Sequence, residues 1–177
     1  MTNTKKSMWS FKMILRTVII LGAFFGVMFL IIAITTQPKS VASIKQIESV
    51  LTEQGYTPID TTEIWKERMS EDIKPCLTKS VSIQVDDIDF TFFAFSDDKS
   101  ADGIRGYFNS YIRWNRFSVP NIEFSEGHGN YVAYTLKAGG LYSLNVRVGN
   151  TLVFATSNEE SAPKIHDIMV AIGYFEE

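Results

Sequence analysis

The chain has 177 residues and a formal charge of −3, but residues 1–34 hold four of its 17 basic groups and none of its 20 acids, leaving 13 basic against 20 acidic, or −7, beyond them. An acidic region with no basic stripe excludes a nucleic-acid partner, which requires clustered Lys and Arg. The single cysteine, Cys76, excludes an intramolecular disulfide, so stability must come from burial.

The first element in chain order is an apolar run, Thr17 to Ile34, with no charge and one hydroxyl. As a helix it would reach roughly 27 Å, close to the hydrocarbon thickness of a bilayer. The sequence therefore predicts a transmembrane signal anchor at residues 17–36, preceded by a cytoplasmic tail, 1–16, and followed by a juxtamembrane link, 37–41. Lys5, Lys6, Lys12 and Arg16 precede the span, whereas only Lys39 and Lys45 follow it closely. This positive-inside bias puts the N-terminus in the cytoplasm and residues 42–177 outside the cell membrane. A cleaved signal peptide is the rival reading, with Ser40 and Ala42 as a small-x-small site, although the apolar run exceeds the usual h-region. Gly22 and Gly26 form a Gly-x-x-x-Gly pair, the spacing of a helix face that would support a weak homodimer.

Residues 42–177 suffice for one domain with a core of its own. Ser43 and Gln46 read as a capping box for a helix with Ile44, Ile47, Val50 and Leu51 on one face, stopped by Gly55 and Tyr56 in a Schellman-type ending. Ile165, Ile168, Met169, Gly173 and Tyr174 repeat that spacing at the chain's end; the intervening segments do not match, so two similarly capped helices explain it without an internal repeat. Residues 57–61 read as an extended link, and Asp60 with Glu63 as a capping box for a short helix carrying Ile64, Trp65 and Met69. Val81, Ile83 and Val85 alternate with Ser80, Ser82 and Gln84 as in a strand with one wet face. Its return, Ile88 to Phe95, turns apolar on both faces, as a strand covered on two sides would.

Asp97, Asp98 and Ser100 offer caps for a core-facing helix carrying Ala101, Ile104, Tyr107, Phe108, Tyr111, Ile112 and Trp114. Beyond Pro120, alternating segments around Phe124, Tyr134, Leu144 and Phe154 are separated by Gly-Asn and Gly-Gly turns, giving an antiparallel meander before the last helix. The expected fold is α+β: a mainly antiparallel sheet of about six strands with helices packed on one face. The Gly-Tyr ending of the first helix, Asp60-Thr61-Thr62, the Phe-rich hairpin, the Gly149-Asn150-Thr151 turn and the closing Ile172-Gly173-Tyr174 resemble a group of small membrane-anchored or lipoprotein domains of Gram-positive bacteria. That group is of unknown function, and the resemblance implies no catalytic residues.

Residue by residue, the chemistry is sparse. His128, between glycines and near Glu126, could serve as a ligand or base, or be a solvated turn residue; His166 reads as a surface residue. Asp86, Asp87 and Asp89 form the best carboxylate cluster, but a hairpin turn itself favours Asp. Cys76 is expected to be buried. No zinc, calcium, phosphate-loop or dinucleotide pattern is present, so neither metal nor cofactor is expected. Tyr107 and Trp114, seven residues apart, fall at one edge of their helix's apolar stripe and are the candidate partner-binding residues, or else cover the rim of the core. Three functions stay open: a non-catalytic extracytoplasmic domain that binds a protein or cell-envelope component, an accessory subunit of a membrane complex, and an unrecognised hydrolase.

Overall fold

The computed structural model describes residues 4–35, 37–114 and 120–176, and the chain divides into two compact units, Met1–Gln37 and Pro38–Glu177. The first unit is a single helix, α1 (Thr4–Thr35). It begins well before the expected span because the preceding polar residues, Lys5 and Lys6 among them, are good helix formers and nothing interrupts the run. Within it, Met13–Leu30 is long and apolar enough to cross a membrane. The one hydroxyl of the apolar run, on Thr17, donates to the Met13 carbonyl at 3.0 Å and so needs no other partner. Thr36, the last residue of the expected span, lies outside the described residues.

The second unit is α+β. In order it holds α2 (Ile44–Glu53), β1 (Ile59–Asp60), α3 (Thr62–Arg68), a 3-10 turn (Lys74–Cys76), β2 (Leu77–Val85), β3 (Ile88–Phe95), α4 (Asp98–Trp114), β4 (Asn121–His128), β5 (Tyr131–Ala138), β6 (Leu141–Val148), β7 (Thr151–Asn158) and α5 (Ala162–Ala171). The sheet has seven strands in the order β1-β2-β3-β7-β6-β5-β4, every pair antiparallel. The seventh is β1, expected only as an extended link; Ile59 and Asp60 pair with Ser82 and Val81 of β2. A long connection through α4 carries the chain from β3 to the far edge, and the meander then returns to seat β7 beside β3.

Helices cover both faces of this sheet, which corrects the expectation of one covered face. Phe90 and Phe92 of β3 pack with Ile47 and Leu51 of α2 and with Ile165, Ile168 and Met169 of α5. Phe93 and Phe95, on the opposite side of the same strand, pack with Ala101, Ile104 and Phe108 of α4 and with Trp65 of α3. The physical reason is the strand period of two: neighbouring phenylalanines point to opposite faces, so both faces need cover. The serine side of β2 is only partly wet: Gln84 is exposed and Ser82 half-buried. Ser80 is fully buried beneath α3, and a hydroxyl chain joins Thr61 to Ser80 (3.0 Å) and Ser82 (2.9 Å), and Ser82 to Thr91 (2.8 Å).

The helix ends follow the sequence closely. Gly55 (φ +85°) and Gly173 (φ +81°) occupy the left-handed region that closes a Schellman turn, with Tyr56 N–H donating to Leu51 O and Tyr174 N–H to Met169 O, both at 2.9 Å. The second unit starts at Pro38, ahead of the expected boundary at 42, because Asn130 grips Lys39: its Oδ1 accepts from Lys39 N–H and its Nδ2 donates to Lys39 O, each at 2.9 Å.

Ahead of α3, Asp60 does not form the expected capping box with Glu63. Its Oδ1 accepts from Thr62 N–H (3.0 Å) and Thr62 Oγ1 (2.6 Å), and its Oδ2 from Lys79 Nζ (2.5 Å). The Lys79 hydrogen bond, followed by those from Thr62, holds the Asp60 carboxyl far below the usual carboxylate range. A carboxyl depressed in the folded state stabilises above its unfolded pKa of about 3.9, and that contribution is lost as pH falls. The side chain is mostly exposed, so the effect should stay within about 1 kcal/mol. Urea midpoints measured at pH 7 and at about pH 2 should therefore differ less for Asp60→Asn than for the parent; an equal difference in both proteins refutes this role.

Candidate functional site

The apolar stripe of α4 is narrower than its composition suggests. Ala101, Ile104, Phe108 and Ile112 are buried, at the three- and four-residue spacing of one helix face. Asp97 starts the helix, its Oδ1 accepting from Ser100 N–H at 2.8 Å. On the sheet side, Asn145 donates to Arg105 O (2.8 Å) and Asn109 Oδ1 (2.6 Å), which fixes the helix against β6. Phe108 stacks on Phe154 with ring centroids 4.2 Å apart.

These contacts leave one edge of α4 uncovered, and both candidate partner-binding residues lie on it. Tyr107 is 63% exposed and Trp114 82%. Tyr111, between them at helical spacing, is 54% exposed, which adds a third aromatic that the sequence reading assigned to the core. Tyr107 keeps an edge contact with buried Phe108, ring centroids 5.6 Å apart, so at that position it also covers the rim of the core. Tyr111 also borders a cavity of about 290 Å³ with Ile112, Leu141 and Phe154. Beyond it, Arg113 lies over the Tyr134 ring at 5.4 Å and pairs with Glu123 of β4.

The opposite face carries a larger groove, about 720 Å³, between α5 and the β4–β5 end of the sheet. Tyr131 and Tyr142 lie in its floor, and both histidines border it. Tyr131 Oη donates to Glu126 Oε1 at 2.5 Å; burial first, and Glu126 second, push the phenol pKa far above its ordinary value, so it remains a proton donor. Lys39 Nζ sits 4.5 Å from the Tyr131 ring centroid and donates to Tyr174 O at 2.8 Å. His128 packs its ring 5.2 Å from Tyr131, and its Nδ1 is enclosed without a hydrogen-bond partner. His166, exposed as expected, lies 5.5 Å from the Phe175 ring.

No protein-family model matches the sequence, and no curated protein matches it. Two solved structures are similar in outline. A GTP binding regulator from Thermotoga maritima is 11% identical, with a TM-score of 0.46, covering 80% of this chain and 96% of its own. The extracellular domain of PknH from Mycobacterium tuberculosis is 8% identical, with a TM-score of 0.33, covering 77% of this chain and 98% of its own. Neither likeness carries a functional argument.

The remaining sequence candidates do not converge. Asp87 accepts from Asn158 N–H and Ser161 Oγ, both at 2.8 Å, and these bonds hold its carboxyl below the usual range; it ties the β2–β3 turn to the start of α5. Asp86 takes the strained position of that turn at φ +54°. Among the described residues no group of three His, Cys, Asp or Glu side chains is placed to hold a metal ion. Cys76 is half-buried rather than buried, because the 3-10 turn stands at the margin of the α4 cluster. The Tyr111 surface and the groove escaped sequence reasoning, since each joins residues from distant elements.

Proposed function

We propose that this chain is a single-pass membrane-anchored domain that lies outside the cytoplasm, with its N-terminus inside, and binds a protein or cell-envelope component without catalysing a reaction. The observation that carries the reading is the exposed Tyr107–Tyr111–Trp114 edge of α4. Aromatic side chains presented to solvent from a rigid helix lose little entropy on binding, and Tyr and Trp dominate binding hot spots. The apolar Met13–Leu30 stretch supports the anchor, and the charges before it support the orientation. Under this reading the chain belongs with the small Gram-positive membrane-anchored domains that its caps and turns resemble.

The accessory-subunit reading draws on Gly22 and Gly26. Their four-residue spacing would let a second helix, from a partner or another copy of the chain, approach this face of α1 closely. Swapping α1 for an unrelated span separates the two, because a partner held by the domain survives the swap.

Protease added to intact protoplasts should remove the domain and leave a short membrane fragment; survival of the whole domain refutes the orientation. With a photo-cross-linker at Tyr111, one discrete adduct should form in cells and disappear when Tyr107 and Trp114 are both alanine. Because both side chains are solvated, the double variant should melt within a few degrees of the parent. An unchanged adduct, or an unfolded double variant, defeats the assignment.

A further inference from the structure

The two edges of the sheet are built differently. One ends on β1, only two residues long, where Lys79 pairs with Asp60. The other ends on β4, eight residues long, which runs beside β5 in unbroken register from Asn121↔Ala138 to His128↔Tyr131. Soluble proteins usually blunt such an edge with proline, lysine, a bulge or a covering element. Within β4 there is no proline, lysine, arginine or register shift, and every residue from Asn121 to Gly127 is exposed. Among the described residues no backbone hydrogen bond ties Ile122–Gly127 to anything other than β5. The strand also presents large apolar side chains, Ile122 at 71% and Phe124 at 57% exposure. By strand alternation both share a face with Glu126 and His128, and Phe124, Glu126 and His128 border the 720 Å³ groove.

We propose that β4 is a strand-addition site, and that its occupant is an extended segment of another protein in which cationic and apolar residues alternate. Main-chain hydrogen bonds to the free edge would supply affinity, and side chains entering the groove would supply specificity. Charge selects the occupant. The groove holds Glu126, Glu159, Asp167 and Glu176 against Lys39 and Lys137, a formal excess of acid, while Glu123 is already paired with Arg113. A second copy fits badly. A symmetric antiparallel pairing, with Phe124 against Phe124, would set two net-acidic groove mouths side by side, and like charges repel.

The site is distinct from the α4 edge, and its test uses the full chain in non-ionic detergent. The probe is an eight-residue peptide alternating lysine and valine, compared with a glutamate–valine peptide and with a lysine–valine peptide N-methylated at alternate amides. The lysine–valine peptide should bind and slow hydrogen exchange at the Ile122–Gly127 amides. N-methylation, replacement of lysine by glutamate, and Phe124→Lys or Ile122→Lys should each weaken binding by at least about tenfold, with the melting temperature of the variants retained. Equal binding of the N-methylated or the glutamate peptide overturns the proposal. So does protection of β4 that grows with protein concentration in the absence of peptide, which would assign the edge to a second copy. The Tyr107/Trp114 double alanine variant should bind the peptide normally, so the two sites fail independently.

Discussion

Phe108→Ala is expected to destabilise the domain by about 3–5 kcal/mol, the cost of removing a buried ring and leaving its cavity. Phe108 touches four aromatic neighbours: Phe154 at 4.2 Å, Tyr107 at 5.6 Å, Trp65 at 5.7 Å and Phe93 at 5.8 Å. These rings come from α3, α4, β3 and β7, so none can close the gap without moving an element. In a domain of ordinary stability such a loss lowers the melting temperature by about 10 °C or more. Trp114→Ala, on the same helix, should stay within about 0.5 kcal/mol. A thermal melt of the two variants provides the comparison. Similar melting temperatures would mean that the buried and solvated sides of α4 have been misassigned, and the candidate binding surface with them.

Tyr174→Phe should cost about 1–3 kcal/mol, although it removes a single oxygen. The buried Tyr174 hydroxyl accepts from Ala42 N–H at 3.1 Å and lies 2.5 Å from Thr151 Oγ1. Thr151 has one hydroxyl proton and donates it to Val148 O at 2.7 Å, so Tyr174 must be the donor to Thr151. Burial keeps the phenol pKa above its ordinary value, consistent with a neutral donor. Phenylalanine would orphan the Ala42 amide and a Thr151 lone pair together, in a place water does not reach. Urea denaturation should show the loss, and hydrogen exchange at Ala42 should accelerate selectively. Undiminished stability with unchanged Ala42 exchange would show that the hydroxyl bridges nothing important.

Much of the architecture was legible because local chemistry dictates it. The Gly55-Tyr56 and Gly173-Tyr174 endings form the Schellman turns that their residues require, since only glycine enters the left-handed region without strain. Alternation located the strands from β2 onward, and the doubly apolar Phe92 to Phe95 run marked a strand covered on both sides. The exposed aromatics were only half legible. A helical wheel placed Tyr107 and Trp114 at the stripe's edge, but it put Tyr111 inside the stripe, among the residues expected to face the core. The width of the contact depends on the sheet beneath, where Phe154, Tyr134 and Leu136 meet only the central residues of α4. The burial of Ser80 on the otherwise partly wet side of β2 was not legible, because alternation records polarity and not burial, and hydroxyls under α3 satisfy one another.

The sequence by itself determined the apolar N-terminal helix, the α+β class, the helix caps and the hairpin turns, because each follows from interactions between residues a few positions apart. The tertiary structure decided the strand order, with β7 returning to β3, the cover on both faces, and the isolation of β4 at an open edge. Those features rest on pairings between segments some sixty residues apart, such as Phe92 with Val153. No local period encodes them; they are set by which hydrophobic faces can be buried together when the whole chain closes on its core.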